Sequence, residues 1–169
     1  MIGSVRKFSD ALDKAAQGLT VLSVSSFTLL LFAAVICRYL LKTSILFEEE
    51  GSKILFVWAC FMGASIAYKR KAHIWFNFIE RFIGCRGIAI SDLIIHASTF
   101  CFFSYLFVDS IDFLLQIWET YFPLIGVSQG WVYLALTVAL GVLIVHNLFF
   151  LLESVQALTS PAAAGEKPR

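Results

Sequence analysis

The stretch LTVLSVSSFTLLLFAAVICRYLL, Leu19 to Leu41, decides the fold: 23 residues with one formal charge, Arg38. At about 1.5 Å rise per residue it makes a helix roughly 34 Å long, enough to cross a bilayer core of about 30 Å. Three more apolar blocks follow. GSKILFVWACFMGASIAY, Gly51 to Tyr68, is shorter and takes Phe47 to Glu50 as its first turn, where carboxylates favour the helix dipole. IAISDLIIHASTFCFFSYLFV, Ile88 to Val108, carries Asp92 and His96, and continuation through Asp109 and Asp112 to Trp118 would make it long and tilted or leave its last turns outside the membrane. GWVYLALTVALGVLIVHNLFFLL, Gly130 to Leu152, has no formal charge. The spacing predicts an all-α membrane protein with spans at about 19–41, 47–68, 88–108 or longer, and 130–152.

Composition agrees. The chain has 169 residues, 59% hydrophobic and 15% charged, against about 25% charged in soluble domains. Cys37, Cys60, Cys85 and Cys101 show no C-x-x-C spacing and lie in or beside apolar runs, which argues against a disulfide framework or a zinc site. The first apolar run exceeds the 7–15 residues of a signal-peptide core, and no A-x-A-like cleavage site follows, so it reads as a retained anchor.

Basic residues set the orientation. Arg6, Lys7, Lys14, Lys69, Arg70, Lys71, Arg81, Arg86, Lys167 and Arg169 fall at the termini or in the middle connection. Only Arg38, Lys42 and Lys53 lie near the first connection, and Asp109 to Gln129 holds none. Ten against three predicts both termini in the cytoplasm of a multi-pass inner-membrane protein. Lys69, Arg70, Lys71, Arg81 and Arg86 are the candidate phospholipid-headgroup residues. The other face is acidic, with Glu48, Glu49, Glu50, Asp109, Asp112 and Glu119, and an aromatic belt of Trp118, Tyr121, Trp131 and Tyr133 flanks it.

Two segments are amphipathic without spanning. In residues 74–84 Ile74, Trp75, Phe76, Phe78, Ile79, Phe82 and Ile83 share one arc, which predicts a short interfacial helix, with packing on a partner protein as the alternative. Residues 1–18 carry a weaker stripe of Val5, Phe8, Leu12, Ala15 and Leu19 and read as a cytoplasmic N-terminal segment. Residues 153–169, ending in SPAAAGEKPR, read as a largely disordered cytoplasmic tail.

Three groups of residues invite a chemical reading. Arg38 faces the first connection and Glu48 to Glu50 open the second span, which predicts an ion pair clamping the first hairpin. Glu49 stands four residues before Lys53, a second pairing. Asp92 and His96 share a face of the third span, and His146 and Asn147 lie at similar depth on the fourth. An interhelical hydrogen-bond set accounts for these four most simply; a proton relay and a b-type haem held by His96 and His146 are the alternatives. His73 ends a basic run with no specific chemistry. The sequence shows no phosphate loop, no nucleophile with its base and no metal constellation, so no enzyme is expected.

One series of motifs is more specific. Arg38-Tyr39, then Glu49-Glu50-x-x-Lys53, then Phe56-Val57-Trp58 with Phe61-x-Gly63-Ala64, then Ala72-His73-Ile74, and later SQGWVYLAL from Ser128 to Leu136, resembles the small membrane subunit of TRAP transporters, the DctQ-like family. The resemblance covers roughly residues 10–152. Lys53 replaces the family's usual arginine, Asn77 stands where aspartate is common, and Thr137 where proline is frequent.

The resemblance implies a scaffold subunit of a sodium-driven, binding-protein-dependent uptake transporter for an organic acid such as sialic acid or a dicarboxylate. It implies a large multi-helix membrane subunit and a periplasmic substrate-binding protein as partners, with no nucleic acid. Sodium is expected on the large subunit, leaving this chain without a cofactor. On this reading Arg38, Tyr39, Glu49, Glu50, Lys53, Trp58, Gly63 and His73 form the structural and subunit-interface motif, with Gly63-Ala64 allowing close helix approach. Asp109, Asp112 and Glu119 are a candidate docking patch for the binding protein. A four-helix adaptor of another membrane complex and the haem protein are the competing readings.

Overall fold

The computed structural model describes residues 2–70 and 85–159, and side chains for residues 7–70 and 90–156. The described residues form four helices: α1 Ile2–Tyr39, α2 Glu48–Lys69, α3 Cys85–Ile117 and α4 Gly130–Thr159. Each contains a segment long and apolar enough to cross a membrane: Lys7–Tyr39, Glu48–Lys69, Ile90–Ile117 and Gly130–Gln156. The fold is an all-α membrane bundle.

Two boundaries differ from expectation. Residues 2–18 are not a separate segment, because α1 runs unbroken for 38 residues, roughly 57 Å. No proline interrupts it, and one interior glycine, Gly18, costs only about 1 kcal/mol in helix propensity. At the other end α4 continues through Thr159, so the first seven residues of the expected tail are helical. Glu153 to Thr159 holds no glycine or proline, and Pro161 follows two residues later. The predicted interfacial helix at 74–84 and residues 160–169 lie outside the described residues.

The expected N-terminal stripe is also rotated. Phe8 and Ala15 face outward, while Ser9, Ala16 and Ser23 are buried. Their seven-residue spacing is the seam of a helix packed along its neighbours. Small side chains there let backbones approach, which is how helices associate where lipid is as apolar as leucine.

The last helix is the hub. α3 packs along α4, α1 along α2, and α2 and α1 also rest on α4. Ala16, Met62 and Ala139 form the tri-helical core, with Leu19, Trp58, Phe61 and Ile66 around it. Phe27 meets Phe56 at 5.6 Å between α1 and α2. Between α3 and α4, Phe113 meets Tyr133 edge-on at 4.9 Å and Trp118 meets Trp131 at 6.3 Å.

Candidate functional site

Polar side chains gather at the two ends of the bundle. At the end marked by Lys69, four helices meet through one seam. Asn147, fully buried, accepts hydrogen bonds at Oδ1 from the Tyr68 hydroxyl at 3.0 Å and from His96 Nδ1 at 3.1 Å. Because an amide oxygen only accepts, this places the His96 proton on Nδ1. The Asn147 amide nitrogen donates to the His96 carbonyl at 3.0 Å. Next along α4, His146 is 1% exposed, and its Nδ1 lies 2.8 Å from Ser9 Oγ on α1. Lys69 donates from Nζ to the Ser9 carbonyl and to Asp10 Oδ1, both at 2.8 Å. Gln17 donates to Asp13 Oδ2 at 2.7 Å one turn further.

His96, His146 and Asn147 therefore share a seam, as their depth suggested, but Asp92 does not join it. It is half-buried and makes no hydrogen bond among the described residues. Ser9, Asp10, Tyr68 and Lys69 take its place. Lys69, expected at lipid headgroups, is committed to α1, and Arg70 is exposed. The side chains of Lys71, His73, Arg81 and Arg86 lie outside the described residues. The two imidazoles are engaged separately, His96 stacking on Phe150 at 5.5 Å and His146 bonding Ser9. No group of three or more His, Cys, Asp or Glu suited to a metal occurs among the described residues.

At the opposite end the expected hairpin clamp is divided. Arg38 pairs with Glu48 at 3.3 Å, and the guanidinium side chain is 62% exposed. Glu49 is exposed and makes no ion pair with Lys53, whose ammonium instead lies 5.9 Å above the Phe122 ring. Glu50 is buried and faces neither cation. Its carboxylate accepts the backbone N–H of Leu124 at 3.1 and 3.2 Å and that of Ile125 at 2.8 Å. Peptide groups in a turn have no helical partner, so a buried carboxylate satisfies them and they satisfy it.

The loop so held is itself ordered. Tyr121 bridges Ser128, Phe122 N–H donates to Val127 at 2.9 Å, and Gly126 closes the turn at φ +69°, a conformation that suits glycine. Ser128 Oγ donates to the Trp118 carbonyl at 2.6 Å and accepts the Gly130 N–H at 3.0 Å, opening α4. A Cβ on Gly130 would lie 2.4 Å from the Trp118 ring, so this glycine is required by close approach. Trp58 Nε1 donates to the Trp131 carbonyl at 3.0 Å, joining α2 to the same corner.

Other motif residues point away. Tyr39 is 77% exposed. A Cβ on Gly63 would meet nothing within 4 Å among the described residues, and Ala64 is exposed. Asp109, Asp112 and Glu119 are all exposed. Glu119 follows the end of α3, whereas the two aspartates lie on α3 beside packed residues of α4.

Residues 27–157 match the family described as tripartite ATP-independent periplasmic transporters, DctQ component. The chain belongs to the DctQ family. It is 28% identical over 142 residues to a Haemophilus influenzae protein assigned as a TRAP transporter small permease, covering 83% of this chain and 86% of the relative. It is 31% identical over 127 residues to the C4-dicarboxylate TRAP transporter small permease DctQ of Vibrio cholerae, covering 75% of this chain and 50% of that relative. The DctQ family is a transporter component rather than an enzyme. With four apolar helices of spanning length, this DctQ-family chain is a multi-pass membrane protein and a TRAP small permease subunit.

Proposed function

We propose that the chain is the fixed scaffold of a sodium-driven, binding-protein-dependent uptake system for an organic acid, packing beside and stabilising a large transport subunit. The observation that carries this reading is the DctQ match from the middle of α1 to near the end of α4, which takes in all of α2 and α3 and the loop held by Glu50. The architecture agrees with a scaffold. Its polar groups are spent tying helices and one loop together, and α1, α2 and α3 each leave most of their surface uncovered within the chain. Sodium and substrate then belong to the large subunit, and a soluble binding protein delivers the acid. A dicarboxylate is one candidate by analogy with the Vibrio cholerae relative, and sialic acid another.

The distribution of Lys and Arg supports an inner-membrane location with both termini, Lys69 and Arg70 on the cytoplasmic side. Glu50 and the loop it holds then face the periplasm. Purifying the tagged chain from its native membrane in mild detergent tests the reading. A large multi-helix partner in one-to-one ratio is expected. Recovery with an unrelated complex would establish the adaptor reading in its place.

A further inference from the structure

Two buried polar atoms converge at the α1–α4 contact without a bond of their own. Ser9 meets His146 and, seven residues further along α1 and seven earlier on α4, Ala16 and Ala139 share the core. The two helices therefore run antiparallel and in step. Asp13 lies one turn along α1 from Ser9, on the same face. Each Cα–Cβ bond tilts toward the N-terminus of its own helix. His146 thus leans toward the level of Asp13, and Asp13 leans back toward the level of His146. Asp13 Oδ1 and His146 Nε2 are both covered from solvent, and neither has a hydrogen-bond partner among the described residues.

Each side chain is already held at its other polar atom. The His146 ring is 1% exposed, with Nδ1 2.8 Å from Ser9 Oγ. Asp13 accepts at Oδ2 from Gln17 at 2.7 Å. Lys69 and Asp10, the other charges acting on the ring, are paired with each other at 2.8 Å. A buried polar atom without a partner is costly, and ordered water is the usual remedy where two such atoms share a site. The chemistry selects water over a direct bond. A carboxylate only accepts, so it serves Nε2 only in the tautomer that carries the proton there. A water donates to Asp13 Oδ1 in either tautomer, and either accepts from Nε2–H or donates to a bare Nε2. The Lys69 ammonium on the same seam opposes a metal cation in that position.

We infer that one ordered water molecule is bound between α1 and α4, donating to Asp13 Oδ1 and hydrogen-bonded to His146 Nε2. It completes a chain from Ser9 through the imidazole and the water to Asp13 and Gln17. It also gives α1 a further fastening to α4, one turn deeper than Ser9. The inference concerns this chain's own helices and is independent of what the chain assembles with.

Magic-angle-spinning NMR of the full chain in lipid bilayers, together with any partner that purifies with it, tests the inference. The His146 ring is assigned through the His146–Asn147 peptide pair, which occurs once in the sequence. Magnetisation starting on water is expected to reach the His146 ring at least fivefold more than the Asn147 side chain. Asn147 is as deeply buried but is closed by its own bonds, so it serves as the internal control. Asp13→Leu is expected to cut the transfer to His146 at least fivefold, and Asp13→Asn, which keeps an acceptor, by less than twofold. The Nδ1 signal of His146 reports in each variant whether Ser9 and the imidazole still meet. Three results would overturn the inference: transfer to the His146 ring no greater than to Asn147, Nε2 bonded directly to the Asp13 carboxylate, or transfer unchanged in a packed Asp13→Leu chain. Where Asp13→Leu fails to pack, the wild-type comparison with Asn147 decides alone.

Discussion

The two ends of the bundle are fastened by different means. At the Lys69 end side chains from four helices bond one another, with Asn147 and His146 at the junction. At the Glu50 end one carboxylate holds the backbone of a loop, and the helices meet through aromatic rings and a serine–glycine turn. The middle, between these fasteners, is a thin core of Ala16, Met62 and Ala139 that supplies little area to bury. Where the surrounding solvent is as apolar as the helices, burial gives no strong drive to associate, and position is set by packing and hydrogen bonds. The side-chain seam fixes helix against helix; the carboxylate latch fixes a connection against its bundle.

The contrast can be broken at either end. Asn147→Leu carries the largest expected effect, since it removes at once the acceptor of the Tyr68 hydroxyl and of His96 Nδ1 and the donor to the His96 carbonyl. A loss of about 2–3 kcal/mol is expected, at the upper end of what intramembrane hydrogen-bond groups contribute. Thermal unfolding of the purified complex in detergent would measure it, and an unchanged midpoint would remove the seam from the account. Glu50→Ala should cost about 1–3 kcal/mol by leaving two turn N–H groups without an acceptor. Its distinctive sign is local: a cysteine at Leu124 should react faster with a membrane-impermeant maleimide in the Glu50→Ala background, while one at Phe8 should not change. Equal rates at Leu124 would mean that the loop holds itself.

Smaller effects sharpen the comparison. Gly130→Ala pushes a methyl group into the Trp118 ring, and overpacking of this kind costs about 1–2 kcal/mol, seen as a shift in Trp fluorescence together with lowered stability. Arg38→Ala should cost no more than about 0.5 kcal/mol, because the pair with Glu48 is solvated. Gly63→Ala should leave the isolated chain unchanged or slightly firmer, since the new methyl meets open space and helix propensity improves by up to about 1 kcal/mol. If it instead weakens recovery of the partner, Gly63 serves an interface between chains.

Much of the bundle was legible in the sequence because long apolar runs leave the backbone no alternative to helix in lipid. Counting turns inward from the two helix ends placed His96 and His146 at similar depth, but not that His96 would bond Asn147 and His146 would bond Ser9. What the pattern concealed was rotation and reach. The stripe of Phe8, Leu12 and Ala15 is the more hydrophobic face of early α1, yet Ser9 and Ala16 face inward, because in a membrane apolarity does not distinguish inside from outside. The seven-residue spacing of small side chains was the signal to follow. Glu50 was hidden for another reason. Three consecutive glutamates look alike in sequence, and only the loop from 120 to 129, distant along the chain, decides which is buried. Asp92 and Asp109 show the same limit, since depth along a helix could be counted but the direction each faced could not.

The hub position of α4 sets an order of events during synthesis. The α1–α2 hairpin can close as soon as both helices have left the ribosome. α3, which rests almost wholly on α4, must wait unpacked until α4 arrives. A chain stopped before Gly130 would therefore be a closed hairpin with α3 left unpacked beside it, the kind of species that membrane proteases remove. Of the four described helices, the last to be made is the one that admits the rest to the fold.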